Sequence, residues 1–244
     1  MTVPARGGLE DVTVAILAGG KGTRLQSVVS DRPKPLAEVA DRPFLAYQLE
    51  QLAAAGARRV LLCTGYLGEQ VKATFGSSYA GMSLDYSLEP AALGTAGAVR
   101  YALSRLTSDP VMVMNGDSYC DADLAAFWQF HCAQQADASV LLAQVDQADR
   151  YGQVLLDGRQ RVAAFREKAA SQGAGWINAG IYLVAHRLLE AIPDGRAVSL
   201  EREIFPTWVG GRFYGHRCHA RFIDIGTPES YALAASFLAA RRTA

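Results

Sequence analysis

Short uncharged runs alternate with helical stripes through the first two thirds of the chain. Val12–Ala18 reads as a buried strand. Leu45, Leu49 and Leu52 predict a helix with one apolar stripe, and Val60–Thr64 the next strand. Val99, Leu103 and Leu106 repeat the helical spacing ahead of a strand at Val111–Met114. Leu124, Phe127, Trp128 and His131 mark another helix before a strand at Ser139–Val145. Strand–helix–strand order implies parallel strands with helices on both faces, so the expected class is a Rossmann-like α/β fold.

The pattern changes after Arg150. Gln153–Leu156 and Arg161–Phe165 flank Asp157-Gly158, the composition of a hairpin turn. Trp176–Val184 and Phe213–Ile225 add strand-like runs. Thr227 as N-cap and Pro228 at the first helical position start a last helix that runs apolar to Leu238. No linker or repeat divides the chain. The expected organisation is a flexible N-terminus over residues 1–11 and one domain over 12–244, with a mostly parallel mixed sheet flanked by helices.

Composition narrows the function classes. Half of the 244 residues are hydrophobic, and 24 Lys+Arg balance 24 Asp+Glu. A neutral chain has no global field for nucleic acid or a membrane surface, so neither is an expected partner. An anionic ligand must be caught by a local group of cations. Cys63, Cys120, Cys132 and Cys218 are scattered without CxxC spacing, which points to a reducing compartment rather than a disulfide or zinc framework. Met1–Asp11 has Arg6 as its one cation and no long apolar run, unlike a secretory signal, and no stretch is long enough to span a bilayer. The expectation is a cytoplasmic protein. A homo-oligomer is compatible with these features.

The densest candidate chemistry is Leu17-Ala18-Gly19-Gly20-Lys21-Gly22-Thr23-Arg24-Leu25, just past the first strand. α/β sheets bind ligands there. Glycines let backbone N–H groups approach phosphates, and Lys21 and Arg24 add positive charge. The dinucleotide fingerprint fails for lack of a third glycine. The Walker A pattern fails for lack of Gly-Lys-Ser/Thr at its spacing. Glycines alone would be an ordinary surface turn; two cations and a threonine in the same loop favour phosphate.

This loop, with Pro33-Lys34-Pro35-Leu36 about ten residues on, resembles the signature of the sugar 1-phosphate nucleotidylyltransferases. The likeness continues in that family's order through Glu89, Leu93-Gly94-Thr95-Ala96-Gly97-Ala98, Asn115-Gly116-Asp117, Tyr151-Gly152, Glu167-Lys168, Asn178-Ala179-Gly180 and Asp224-Ile225-Gly226-Thr227-Pro228. It spans nearly all of residues 12–240. Asp31–Val39, Asn115–Tyr119 and Ser199–Pro206 look most like the branch that guanylylates D-glycero-α-D-manno-heptose 1-phosphate. One departure is Glu167-Lys168-Ala169, where many relatives have proline third.

The resemblance implies a nucleotide-diphospho-sugar transferase fold. It implies attack by a sugar 1-phosphate on the α-phosphorus of an NTP, here GTP, with release of pyrophosphate. Both partners are anions, so the protein's task is positioning and charge stabilisation. The implied catalytic pair is Arg24, toward the leaving pyrophosphate, and Lys34, beside the α-phosphate. Nucleotide contacts fall on Leu17, Ala18, Gly19, Gly20, Lys21, Gly22, Thr23, Glu89, Gly94 and Thr95. Sugar-phosphate contacts fall on Asn115, Gly152, Glu167, Lys168 and Asn178. Asp117 and Asp224 would hold Mg²⁺, which prefers carboxylates, phosphate oxygens and water.

Each of these residues has an ordinary reading as a turn, a cap or an exposed charge. Their joint occurrence in one order favours the site. Mannose 1-phosphate guanylyltransfer, thymidylyl- or uridylyltransfer and a non-catalytic nucleotide-sugar sensor remain alternatives. Outside the site, strand alternation separates His216 and Cys218 from His219, which argues against a metal cluster. His131 reads as a half-buried packing residue, and Cys63 as core.

Overall fold

The computed structural model describes residues 8–148, 151–166 and 173–239. The uncharged run near the start forms β1 (Thr13–Ala18), a central strand of a ten-stranded mixed sheet. Its side chains alternate between two cores. Val14 and Ile16 pack on one face and Ala15 on the other, the period-2 arrangement of a strand covered on both sides.

After a small hairpin of β2 (Glu38–Val39) and β3 (Arg42–Pro43), the chain steps outward from β1 to β4 (Arg59–Thr64) and β6 (Met82–Leu88), all three of these parallel. A short β5 (Ser78–Tyr79) closes that edge by pairing antiparallel with β6. The chain then returns to the other side of β1 as β7 (Val111–Asn115), again parallel. The order reverses at β1, so a crevice opens at the carboxyl ends of β1 and β7, where such sheets take ligands. β6 has no counterpart among the sequence expectations. Its buried Met82 and Leu84 alternate with exposed Ser83 and Asp85, a weaker signal than a continuous apolar run.

Beyond β7 the pairing becomes antiparallel, except for one parallel strand at the far edge. β12 (Gly175–Val184) runs against β7 on one side and β9 (Ala138–Val145) on the other. The expected hairpin is present as β10 (Gln153–Leu156) and β11 (Val162–Arg166), with Asp157 Oδ1 accepting from Arg159 and Arg161 N–H. The run expected at Phe213–Ile225 is split. β13 (Phe213–Cys218) joins β9, whereas β14 (Phe222–Asp224) leaves the large sheet and pairs with β8 (Ser118–Cys120).

Helices α1 (Phe44–Ala54), α2 (Gly68–Phe75) and α4 (Leu124–Ala133) cover one face, and α3 (Gly94–Tyr101), α5 (His186–Glu190) and the short α6 (Phe205–Trp208) the other. Asp123 caps α4 by accepting from Ala126 N–H. A third core joins α1 to Tyr119, Ile223, Ile225 and α7 (Pro228–Ala239). Thr227 caps α7 as expected, its Oγ1 accepting from Ser230 N–H at 3.3 Å. Of the N-terminus expected to be flexible, Leu9–Asp11 form a 3₁₀ turn instead. Leu9 is buried in the main core, and burial of that side chain holds the segment to the sheet. No helix among the described residues is long and apolar enough to cross a membrane.

Candidate active site

Two aspartates distant in the chain meet because β8 and β14 pair. Asp224 lies opposite Ser118, and Ile225 N–H donates to the Asp117 carbonyl at 2.9 Å. Asp117 sits in the turn between β7 and β8. That turn lies on β1, for Gly116 N–H donates to Leu17 O at 2.9 Å. A Cβ at Gly116 would come within 2.6 Å of the same Leu17 oxygen, so only glycine allows this approach.

Lys34 enters from the opposite wall. Pro33 and Pro35 flank it in a 3₁₀ turn, which fixes its backbone. Its Nζ lies 2.6 Å from Asp117 Oδ2, and its side chain is only 10% exposed. Arg24 converges on the same place. A point one Cβ length from Gly226 is 3.4 Å from Arg24 Nη2 and 3.6 Å from Lys34 Nζ. Arg24 itself is exposed, but the next residue, Leu25, is buried in the third core and anchors the loop. Burying a leucine is worth about 1.5–3 kcal/mol, enough to hold a glycine-rich segment in register.

On the far side of the loop, Glu89 is half-buried. A Cβ at Gly19 would collide with Glu89 Oε1, so the carboxylate rests directly against the loop backbone. Glu89 Oε2 accepts from Leu93 N–H at 3.3 Å. Burial pushes its pKa up, and the Leu93 bond offsets part of that rise. Thr95, in the first turn of α3, donates to Glu201 Oε2 at 2.8 Å and accepts from Leu200 N–H at 2.8 Å.

The third wall comes from the antiparallel half. Asp224 Oδ2 accepts from the Tyr151 hydroxyl at 2.7 Å, and Oδ1 accepts from Gly226 N–H at 2.7 Å. Asn178 Nδ2 donates to the Tyr182 hydroxyl at 2.7 Å, and its Oδ1 accepts from Gly180 N–H. Both ends of the Asn178 amide are thereby oriented by β12.

These walls enclose three adjoining pockets, and Asp117 lines all three. The first is bounded by Leu17, Ala18, Gly20, Gly22, Thr23, Arg24 and Lys34. The second adds Gly19, Glu89, Gly94, Thr95 and Asn115. The third holds Gly152, Asn178 and Asp224 with Tyr151. All but three of the residues named from the sequence therefore come together. Lys21 is exposed and outside the linings. Glu167 and Lys168 lie outside the described residues, as does most of the loop that follows them.

Sequence reasoning missed the residues that hold the site from behind. Gln48, on α1, is fully buried and donates through Nε2 to Asn115 O and Ser118 O, both at 2.7 Å. A signal existed, because Gln48 interrupts the stripe Leu45, Leu49, Leu52 at a core position. Ser230, whose Oγ reaches Asp224 Oδ1 at 3.4 Å, carried no sequence signal, and Tyr151 stood in the Tyr151-Gly152 segment without a role of its own.

Elsewhere, His216 packs on Phe130 and His219 on Trp176, apart from one another as alternation requires. His131 is more buried than expected, at 5% exposure, because Ser139 Oγ partners its Nδ1 at 2.8 Å. Cys63 is buried, which pushes its thiol up to about 12 and leaves it a core residue.

The family described as "Nucleotidyl transferase" matches residues 13–241. A mannose-1-phosphate guanylyltransferase of Mycobacterium tuberculosis is 38% identical over 224 residues, covering 90% of this chain and 62% of that protein. A D-glycero-α-D-manno-heptose 1-phosphate guanylyltransferase of Aneurinibacillus thermoaerophilus is 37% identical over 217 residues, covering 88% of this chain and 94% of that one. Thus this chain spans less than two thirds of the mycobacterial relative and nearly all of the other. The crystal structure of HddC from Yersinia pseudotuberculosis complexed with GMP-PN aligns with a TM-score of 0.83 at 33% identity, over 93% of this chain and 99% of that one.

Proposed function

Since the chain belongs to the nucleotidyl transferase family, we propose that it transfers the guanylyl group of GTP to D-glycero-α-D-manno-heptose 1-phosphate and releases pyrophosphate. The observation that carries this reading is the position of Asp117, paired with Lys34, where three pockets meet. One is lined by a glycine-rich loop, one by Glu89 and one by Asn178 and Asp224. A nucleotide laid across the first two would present its α-phosphate to a sugar phosphate in the third.

A phosphate oxygen of the sugar attacks the α-phosphorus. The bond from that phosphorus to the bridging oxygen breaks, and pyrophosphate leaves with the electron pair. The nucleophile is already anionic, so no base is needed. Arg24 and the loop amides neutralise the leaving pyrophosphate, and Lys34 the charge that builds at the α-phosphate. Lys168 neutralises the sugar phosphate, and Glu167 and Asn178 bond its hydroxyls. Asp117 and Asp224 line one pocket as a pair of hard oxygen donors, which suits Mg²⁺. When bound, the ion supplies Lewis-acid charge neutralisation between the two anions.

Glu89 favours guanine on chemical grounds. The guanine edge offers two adjacent donors, N1–H and the N2 amino group, which a carboxylate accepts together. Uracil and thymine offer one N–H between two carbonyl acceptors that a carboxylate repels. The free thiols Cys63, Cys120, Cys132 and Cys218, with GTP as donor, fit the cytoplasm.

The heptose is favoured over mannose by the coverage of the Aneurinibacillus relative along nearly its whole length. The identity to the mycobacterial enzyme keeps mannose 1-phosphate as the second reading. The deciding experiment is pyrophosphate release with Mg²⁺ across four NTPs crossed with hexose and heptose 1-phosphates. A dominant GTP–heptose pair supports the proposal, and GTP–mannose selects the second reading. No release in a folded protein that binds GTP leaves a sensor.

A further inference from the structure

Behind Asp117 lies a polar clamp in a largely apolar helix face. Gln48 occupies a core position among Leu45, Leu49 and Leu52 and is 0% exposed. Its single amide nitrogen spends both hydrogens on Asn115 O and Ser118 O, each at 2.7 Å. Those carbonyls bracket the turn Asn115-Gly116-Asp117-Ser118. One nitrogen therefore fixes both ends of the segment that bears the carboxylate.

Backbone hydrogen bonds anchor the turn as well, beside the side-chain contacts of Asp117 with Lys34 and of Ser118 with Ala179 O. Gly116 N–H is held by Leu17 O, and Asp117 O by Ile225 N–H. Asp117 O faces β14, whereas Ser118 O and Cys120 O face α1. Backbone pairing thus satisfies one side of β8 and glutamine amides the other. Gln51 repeats the device one turn along α1, donating to Cys120 O at 2.8 Å and Ala122 O at 3.1 Å. The side-chain oxygens Gln48 Oε1 and Gln51 Oε1 are buried without a hydrogen-bond partner. At both positions the amide hydrogens make the contacts; what sets Gln48 apart is that its two carbonyls flank Asp117.

We propose that Gln48 is a positioning residue for the reaction. It holds the Asp117 carboxylate where it meets Lys34 and the metal, and this rests on the guanylyltransferase reading above. Gln51 grips the strand beyond the turn and leaves Asp117 untouched, so it serves as the control.

The test compares wild type with Gln48→Met and Gln51→Met, which keep side-chain length and remove the donors. Three quantities are read: melting temperature, Mn²⁺ binding to the ligand-free protein by electron paramagnetic resonance, and steady-state pyrophosphate release. Both variants should melt lower to a similar extent. Only Gln48→Met should lose Mn²⁺ affinity and kcat, each by roughly 10–100-fold, the usual penalty for removing a group that orients a metal ligand. The KM for GTP should change less than kcat, because Arg24, the glycine-rich loop and Glu89 keep their places. If Gln48→Met does not fold, Gln48→Asn takes its place, since an amide one methylene shorter cannot reach both carbonyls. Wild-type Mn²⁺ affinity and kcat in the Gln48 variant would overturn the proposal, as would equal losses in Gln51→Met. Absence of pyrophosphate release in wild type would defeat the reading of the reaction, while the Mn²⁺ comparison would still decide the role of Gln48.

Discussion

Lys34 Nζ is held 2.6 Å from Asp117 Oδ2, so a proposed catalytic cation and a proposed metal ligand share one oxygen. Asp117 is 45% exposed and open to a metal, while Lys34 is nearly enclosed. A divalent ion on Asp117 has to compete with the ammonium for that oxygen. Lys34→Met should therefore act in two directions. Pyrophosphate release should fall by on the order of a hundredfold or more, the usual effect of removing one transition-state charge partner. Mn²⁺ binding to the ligand-free protein should tighten, because a competing cation is gone. Weaker Mn²⁺ binding in the variant would show that Lys34 supports the metal rather than rivals it.

Glu89 touches the Gly19 backbone and reaches Leu93 N–H, and no cation neutralises it in these contacts. Glu89→Gln replaces a double acceptor by a donor–acceptor pair, which suits uracil or thymine better than guanine. The preference for GTP over UTP should fall by about 1–3 kcal/mol, the discrimination carried by one bidentate base contact. Burial raises the carboxyl pKa, so the base-accepting anion is lost at a higher pH than for an ordinary glutamate. The KM for GTP should accordingly climb as pH falls toward the carboxylate range, and the Gln variant should lack that climb. Competition assays between GTP and UTP over a pH series measure both effects.

The parts of this protein that were readable from sequence are those where one short run decides the structure. Val12–Ala18 followed by two glycines and two cations specifies a buried strand and an anion loop. Thr227-Pro228 specifies a helix start. The meeting of Asp117 with Asp224 was not readable from local pattern. It depends on β14 leaving the large sheet to pair with β8, and only the family resemblance pointed to it. Gln48 was hidden for a different reason. A buried amide looks like a flaw in an apolar stripe until the carbonyls it serves are visible. Leu9 was not readable either, because it stands alone between Gly7-Gly8 and Glu10-Asp11 and gives no periodic signal.

Gly116 offers a test of how tightly the turn must sit. An added methyl would lie 2.6 Å from Leu17 O; the backbone fixes the Cβ and carries the oxygen, so neither can rotate away. Gly116→Ala must push the turn off β1. Overpacking of this kind costs about 1–3 kcal/mol. At about 2–4 °C per kcal/mol for a domain of this size, the melting temperature should drop by several degrees. Turnover should fall further than stability suggests, by roughly a hundredfold if Asp117 moves by about 1 Å. A variant that melts lower yet releases pyrophosphate at the wild-type rate would show that the turn tolerates displacement.

His131 sets an acid limit on the fold that is separate from the chemistry. Its ring stacks on Trp128 at 6.2 Å and its Nδ1 meets Ser139 Oγ. Burial pushes its pKa down from 6.5 to about 4, against the opposing pull of Asp109 and Asp137. Between those values the unfolded chain binds a proton that the folded chain refuses. Stability from this group is therefore intact above pH 6.5 and is lost progressively as pH falls toward 4. The full loss is at most about 3.5 kcal/mol, from about 1.4 kcal/mol for each pH unit. His131→Gln keeps a hydrogen-bonding group for Ser139 and cannot titrate. It should be less stable at pH 7, yet its urea midpoint should fall less steeply between pH 6.5 and 4.5. Equal slopes for the two proteins would mean that some other buried group sets the acid limit.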